Sequence, residues 1–195
     1  MCGRYFFSKD SGDKKVQAIR EAMEREHPGE YKTGEILPGD FAPAVILRRG
    51  KLSAVPAGFG FPGFRDGKLI INARSETAAE KKTFADSLRE RRIILPAAGF
   101  YEWSREGEKT KYFFTRDGRE TIYLCGLWKP VDGFLRFVIL TRPANASMGG
   151  IHDRMPVIVG EEDVRPYLTD REAAADLIAY ADPVLTMQPA GEAGA

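Results

Sequence analysis

Cys2 directly follows Met1 in the opening run Met1-Cys2-Gly3-Arg4-Tyr5, so removal of Met1 would leave an α-amine and a thiol on one residue. With ordinary pKa values of ~7.7 to 8.0 for the amine and ~8.5 for the thiol, both groups are partly deprotonated at neutral pH. The amine can add to an aldehyde, and the thiolate can then close a five-membered ring on the resulting imine. A competing reading makes Cys2 a small apolar residue in a terminal strand, since free cysteine is among the most buried residue types. Three other residues are suited to moving protons or orienting polar groups. His152 stands in the Gly-rich loop Gly149-Gly150-Ile151-His152-Asp153, where a histidine either shuttles protons or makes structural hydrogen bonds. The other histidine, His27, lies beside Pro28 at a helix end, where a solvated role suffices. Glu102 lies between Tyr101 and Trp103; such neighbours can raise a carboxyl's pKa into the range of a general acid and base. Alternation along a strand can equally send the rings to the other face and leave Glu102 pointing outward. Asn72 ends the apolar run Leu69-Ile70-Ile71 and either orients an amine or hydroxyl or hydrogen-bonds a turn, the turn being the simpler reading.

The elements that must position these residues follow from periodicity. Gly3 to Ser8 reads as a strand, and Val16, Ile19, Ala22 and Met23 recur at helical spacing before Pro28-Gly29. Ala44 to Arg48 and Lys51 to Val55 flank Arg49-Gly50 as a hairpin, and Phe59-Gly60-Phe61-Pro62-Gly63-Phe64 reads as an aromatic loop. Lys68 to Asn72 forms a strand, and Thr77 with Glu80 makes a capping box for a helix running to about Arg91. The runs Ile93 to Leu95, Gly99 to Ser104, Lys111 to Thr115, Thr121 to Trp128 and Leu135 to Thr141 then form an antiparallel meander. Glu106-Gly107, Asp117-Gly118 and Asp132-Gly133 are its turns. A strand from Val157 to Val159 and short helices over Glu161 to Tyr167 and Arg171 to Tyr180 follow. No internal repeat or linker interrupts this order. The expectation is one α+β, β-rich domain over residues 1–188 with a loose tail at 189–195; periodicity does not decide whether the strands close into a barrel.

The composition excludes several classes. At 195 residues the chain is long enough for one hydrophobic core, and no apolar stretch reaches the roughly 18 residues of a membrane span. No basic region followed by an apolar run marks a signal peptide, which points to the cytoplasm. The net charge of +1 gives no global sign of nucleic-acid binding, so any such surface must be local. Cys2 and Cys125 are expected as separate thiols, Cys125 in a core strand. Metal-ligand spacing and phosphate-cradling motifs are missing, and no metal and no cofactor is expected.

Four motifs in one order, Met-Cys-Gly-Arg at 1–4, Ile-Asn-Ala-Arg-Ser-Glu at 71–76, Gly-Phe-Tyr-Glu-Trp at 99–103 and Ile-His-Asp-Arg-Met-Pro at 151–156, carry a family resemblance. Over residues 1 to about 168 the chain resembles the SOS response-associated peptidase (SRAP) family. The resemblance implies a barrel-like, largely antiparallel sheet with flanking helices, and a protein that shields abasic sites in single-stranded DNA. It implies that processed Cys2 joins the ring-opened sugar as a thiazolidine. Glu102 would then move protons around the imine, His152 would protonate the sugar ring oxygen and assist reversal, and Asn72 would hold the amine. Arg4, Arg74 and Thr141 match family contacts to the DNA backbone, and Arg suits phosphate through its planar fork. Pro43 and Phe59 match a wedge that stacks against bases. Here the family commonly has a basic residue and Trp, whereas this chain has Gly58 and Phe59, which implies a weaker grip. The implied partner is single-stranded DNA with abasic sites, bound by a monomer that joins the nucleoid when the DNA is damaged.

Two other readings of the same residues stay open. One is a cysteine peptidase or autoprotease using Cys2 with His152 as nucleophile and base. The other is a non-catalytic single-strand binding module in which Cys2 is structural. A Schiff base at the sugar would also permit β-elimination, so strand-cleaving lyase activity accompanies the first reading.

Overall fold

Strands with apolar residues on both faces dominate the middle of the chain, and their alternation sorts the side chains into two cores. Along 122–127, Ile122 and Leu124 enter one core while Tyr123, Cys125 and Leu127 enter the other. Phe137 and Ile139 likewise oppose Val138 and Leu140, and Ile93 and Leu95 oppose Ile94. A sheet buried on both sides reads as a continuous apolar run, which is why Ile93-Ile94-Leu95 and Phe137 to Leu140 lack polar alternation.

The computed structural model describes residues 2–63, 67–105, 107–116 and 118–190. Its first elements are β1 (Tyr5–Phe7), α1 (Lys14–Glu26), β2 (Gly34–Ile36), β3 (Phe41–Arg48), β4 (Lys51–Phe59) and β5 (Phe61–Pro62). Next come β6 (Leu69–Ile70), β7 (Asn72–Arg74), a 3₁₀ turn (Ser75–Thr77), α2 (Ala85–Glu90), β8 (Arg92–Ala97) and β9 (Gly99–Trp103). β10 (Lys111–Arg116), β11 (Ile122–Val131), β12 (Phe134–Pro143) and a second 3₁₀ turn (Ala146–Met148) follow. The chain finishes with β13 (Arg154–Pro156), β14 (Ile158–Val159), α3 (Val164–Thr169), α4 (Arg171–Tyr180) and β15 (Leu185–Pro189).

The strands do close. β12 pairs with β4, β4 with β3, β3 with β8, β8 with β11, and β11 returns to β12, making a five-stranded ring. Closure removes the exposed edges of an open sheet. The β12–β4 pairing is parallel, as is that of β12 with β7; the ring's other pairings are antiparallel. The expected meander is therefore broken. β9 and β10 leave the ring for a second sheet ordered β15-β10-β9-β1-β2, and the chain re-enters the ring at β11.

Turn chemistry fixes two hairpins. Arg49 and Gly50 both take positive φ between β3 and β4, as do Asp132 and Gly133 between β11 and β12. That conformation matches the right-handed twist of the flanking strands. Helix α1 begins where Asp13 accepts from the amides of Lys15 and Val16, and it buries Val16 and Met23.

Three expectations need correction. The Thr77/Glu80 capping box does not form: Ser75–Thr77 is a short turn, and the helix starts only at Ala85. The turn is held by Arg154, which donates two hydrogen bonds to Glu76, while Ala78 and Phe84 are buried. The expected strand Lys68 to Asn72 splits, β6 pairing with β5 and Asn72 starting β7 on β12. Of the expected tail, Pro189 is paired to Tyr112 and the Ala190 amide donates to Lys111 O at 2.8 Å. Residues 191–195, Met1, Phe64, and the Glu106 and Asp117 halves of two expected turns lie outside the described residues.

Candidate active site

Cys2 is fully buried, part of the core that Phe7, Phe59, Leu95, Phe100 and Phe137 build. Its carbonyl accepts a hydrogen bond from Asn72 Nδ2 at 2.9 Å, a contact across 70 residues of sequence. Asn72 reaches it because β7 runs parallel to β12 with Asn72 opposite Ile139 and Arg74 opposite Thr141. Ala73 faces the other core, so Asn72 and Arg74 share the opposite face. The amide's Oδ1 is buried and lacks a hydrogen-bond partner among the described residues. A buried acceptor of this kind is costly unless something donates to it.

Glu102 settles the question that alternation left open. On β9, Phe100 and Glu102 share the inward face, and Glu102 is only 4 % exposed. Tyr101 and Trp103 project to the other face, where Lys111 Nζ lies 4.0 Å from the Tyr101 ring centroid and the Arg4 guanidinium 4.9 Å from that of Trp103. The rings therefore do not enclose the carboxylate; it belongs to the Cys2 side of the sheet. Burial pushes the Cys2 thiol far above its ordinary pKa, the Glu102 charge adds to this, and the weak 4.0 Å contact of Sγ with Arg4 O opposes it. Burial thus holds the thiol in its protonated form in this state.

His152 reaches the same place from the loop before β13. Gly149 and Gly150 take φ of 55° and 76° there, a left-handed pair that few other residues would adopt. Asn145 anchors the loop. Its Oδ1 accepts from the Ser147 amide and hydroxyl, and its Nδ2 donates to Asp182 Oδ1 at 2.8 Å and Pro183 O at 3.0 Å. Desolvation holds the His152 pKa below its ordinary value; the Glu102 charge opposes this, the N-terminal cation and Arg105 reinforce it, and Asp153 opposes it. Glu102 thus acts electrostatically on both Cys2 and His152, which places the four predicted residues Cys2, Asn72, Glu102 and His152 in one constellation.

The predicted DNA contacts fare differently. Arg74 is exposed beside Asn72. Arg4 is paired with Glu35 at 2.7 Å, and Lys111 shares that carboxylate at 2.8 Å. Desolvation raises the Glu35 pKa, but these two cations outweigh it and hold the carboxyl below its usual value.

Thr141 is fully buried, its hydroxyl and carbonyl both facing Arg154 Nη2, so its side chain is not presented to a phosphate. Pro43 is buried as well. Phe59 is fully buried, stacked on Phe137 at 4.9 Å with Tyr5 edge-on at 6.1 Å, so its ring offers no face to a base. The expected wedge is corrected on that ground. Gly58 instead seats Phe41, whose ring would lie 3.2 Å from a Cβ there, and the exposed ring nearby is Phe134, edge-on to Phe41.

Two residues escaped the sequence reading. Arg154, inside a quoted motif, ties Glu76 to Thr141. Arg105, in an unremarkable Ser-Arg-Glu-Gly turn, reaches His152 across 47 residues of sequence; no periodic signal announces such a contact. The described residues contain no cluster of His, Cys, Asp and Glu able to hold a metal, and no helix among them is long and apolar enough to cross a membrane.

This geometry has relatives. The chain is 31% identical over 180 residues to the abasic site processing protein YedK of Escherichia coli, covering 86% of this chain and 79% of YedK. It is 36% identical over 119 residues to the abasic site processing protein YobE of Bacillus subtilis, and spans 54% of that protein's length. A crystal structure of a Bordetella bronchiseptica protein superimposes with a TM-score of 0.75 at 23% identity, covering 97% of this chain and all of the other, which supports the mixed α+β fold. The family model described as SOS response associated peptidase (SRAP) matches residues 1–191, the span that holds the buried Cys2, the β7 Asn72, the inward Glu102 and the loop-borne His152, and the chain belongs to that family.

Proposed function

We propose that this protein processes abasic sites in single-stranded DNA by joining Cys2, after removal of Met1, to the ring-opened sugar. The observation that carries this reading is the Asn72 bond to the Cys2 carbonyl at 2.9 Å, with Glu102 buried on the same side. That bond fixes the backbone on which the new α-amine would stand, and Asn72 Oδ1 is an unused acceptor for it. The amine attacks the aldehyde carbon, and the carbinolamine loses water to give an imine. The thiol sulfur then adds to the imine carbon while its proton passes to nitrogen, closing a thiazolidine; one water is released overall. A protonated, buried thiol suits this order, because the amine reacts first and the sulfur needs its proton removed only at ring closure. Glu102 is the carboxylate placed to accept and return protons, and His152 delivers one to the sugar ring oxygen during opening. Arg74 would hold the neighbouring phosphate. β-Elimination from the imine would add lyase activity. YedK and YobE, both named abasic site processing proteins, support processing of abasic sites by this chain. A general peptidase is less well served, since it needs a thiolate open to an incoming carbonyl, and Cys2 is buried and protonated.

A denaturing gel tests the proposal. Protein shown by intact mass to lack Met1 is mixed with a single strand bearing one abasic site. A heat-stable covalent band is expected from the wild type; Cys2→Ala and Cys2→Ser both keep the α-amine without the thiol, so each gives only a band that borohydride must trap. A wild type without a band would sink the crosslinking reading.

A further inference from the structure

His152 stands among donating and charged partners, and the one at its Nε2 is a cation. Nδ1 lies 2.9 Å from Asp153 Oδ1 and accepts a hydrogen bond from the Arg154 amide at 2.9 Å. Nε2 lies 2.9 Å from Arg105 Nη2, and the same guanidinium nitrogen donates to Asp153 Oδ1 at 2.8 Å. A guanidinium and a backbone amide only donate, so both ring nitrogens of His152 face donors, and the one at Nε2 is a cation, which opposes further protonation of the ring. His152, Asp153 and Arg105 therefore form a closed triangle. The imidazole is nearly buried, with 9 % of its side chain exposed, whereas Arg105 and Asp153 are 53 % and 63 % exposed. The member of the triangle that can leave is the cation in solvent, at the turn between β9 and β10. In the free protein a positive group sits against Nε2.

We propose that Arg105 is a substrate-responsive cap on His152: it holds Nε2 and Asp153 in the free protein and exchanges them for the phosphate oxygens of an incoming strand, taking away a cation that opposes protonation of the ring. The inference rests on His152 being the proton carrier of the proposed reaction and adds the regulation of that residue. The exchange balances. Arg105 trades one charge-assisted donor set for another, a bidentate phosphate contact replacing a carboxylate and an imidazole. The ring takes one proton from water, and the imidazolium formed lies beside the Asp153 carboxylate. The charged groups facing His152 are Glu102 from β9, Arg105 from the turn, Asp153 on its own loop and the N-terminal cation. Among the described residues, Arg105 is a cation that touches Nε2 and lies half in water, so its departure removes a charge that opposes ring protonation. Proton uptake is thereby tied to the presence of a DNA backbone.

The chain has two histidines, so a His27→Gln background leaves His152 as the single imidazole for an NMR titration of its Cε1–H. Arg105→Gln is expected to raise the His152 midpoint by about half a unit to one unit, as removal of a neighbouring like charge does. Arg105→Lys, which keeps the charge without the fork, should stay closer to the wild type. An intact single strand without an abasic site should raise the wild-type midpoint, and raise that of Arg105→Gln by clearly less. Equal midpoints for wild type and Arg105→Gln, or equal DNA-induced shifts in both, would overturn the cap. Because these titrations use the protein and unmodified DNA, they decide the cap even if the gel shows no covalent band. In a protein that does crosslink, Arg105→Gln should extend the rate to higher pH; an unmoved pH profile counts against the proposal.

Discussion

The proposed nucleophile, Cys2, is a thiol held in reserve. Burial keeps its thiol protonated, so alkylation by iodoacetamide should be many-fold slower in the folded protein than in urea. Rapid labelling of native Cys2, read by peptide mass, would contradict that picture. Phe59 makes the opposite point, since a ring suited to stacking on bases spends its face on Phe137. Phe59→Ala is expected to cost about 3–5 kcal/mol of unfolding free energy, the range for emptying a buried aromatic site, with little change in DNA affinity per folded molecule. A stable Phe59→Ala protein with weakened DNA binding would restore the wedge.

At the scale of elements, the site depends on short segments whose positions are set by polar ties. The 3₁₀ turn after β7 is pinned by Arg154 on Glu76, and this hydrogen bond, against a smaller desolvation cost, lowers the Glu76 pKa to about 2. A depressed carboxyl contributes stability that is present above its unfolded value and lost as pH falls through the folded one. Wild type should therefore lose stability relative to Glu76→Gln between about pH 4.5 and pH 2, measured by urea midpoints. Glu76 is 44 % exposed on its side chain, so solvent screening keeps the difference near 1 kcal/mol or less. The His152 loop hangs similarly on Asn145, whose donors bind Asp182 and Pro183 ahead of β15. Asn145→Ala should raise amide exchange over residues 146–153 and slow crosslinking, while leaving the barrel strands protected. Unchanged exchange in that loop would mean that β15 anchors it by other contacts, such as Met187 against Gly149.

At the scale of the molecule, closure of the ring brings residues from both ends of the chain to one place. Tight strand crossings allow it. A Cβ on Gly126 would lie 2.6 Å from Val138 O and 3.0 Å from Ile93 Cγ2, between the strands that close β8, β11 and β12. Gly126→Ala is therefore expected to destabilise by about 1–3 kcal/mol, as overpacking does, and to lower thermal stability without altering any reacting group. A neutral Gly126→Ala would show that the ring has more slack than its geometry indicates.

Local order was legible because local order is written locally. Apolar runs marked Ile93 to Leu95 and Leu135 to Thr141, glycine-bearing turns marked Arg49-Gly50 and Asp132-Gly133, and the opening Met-Cys placed an aminothiol precursor behind Met1 before any fold was known. Four ordered motifs tied that precursor to Asn72, Glu102 and His152. Tertiary structure alone decided which way these residues look. Glu102 faces Cys2 because β9 pairs with β1 and β10 in a register that puts Phe100 inside. Phe59 is buried because β4 ends against β12, and Arg105 caps His152 across 47 residues. Register, burial and long-range polar contact depend on partners distant in the chain, and no window of neighbouring residues contains them.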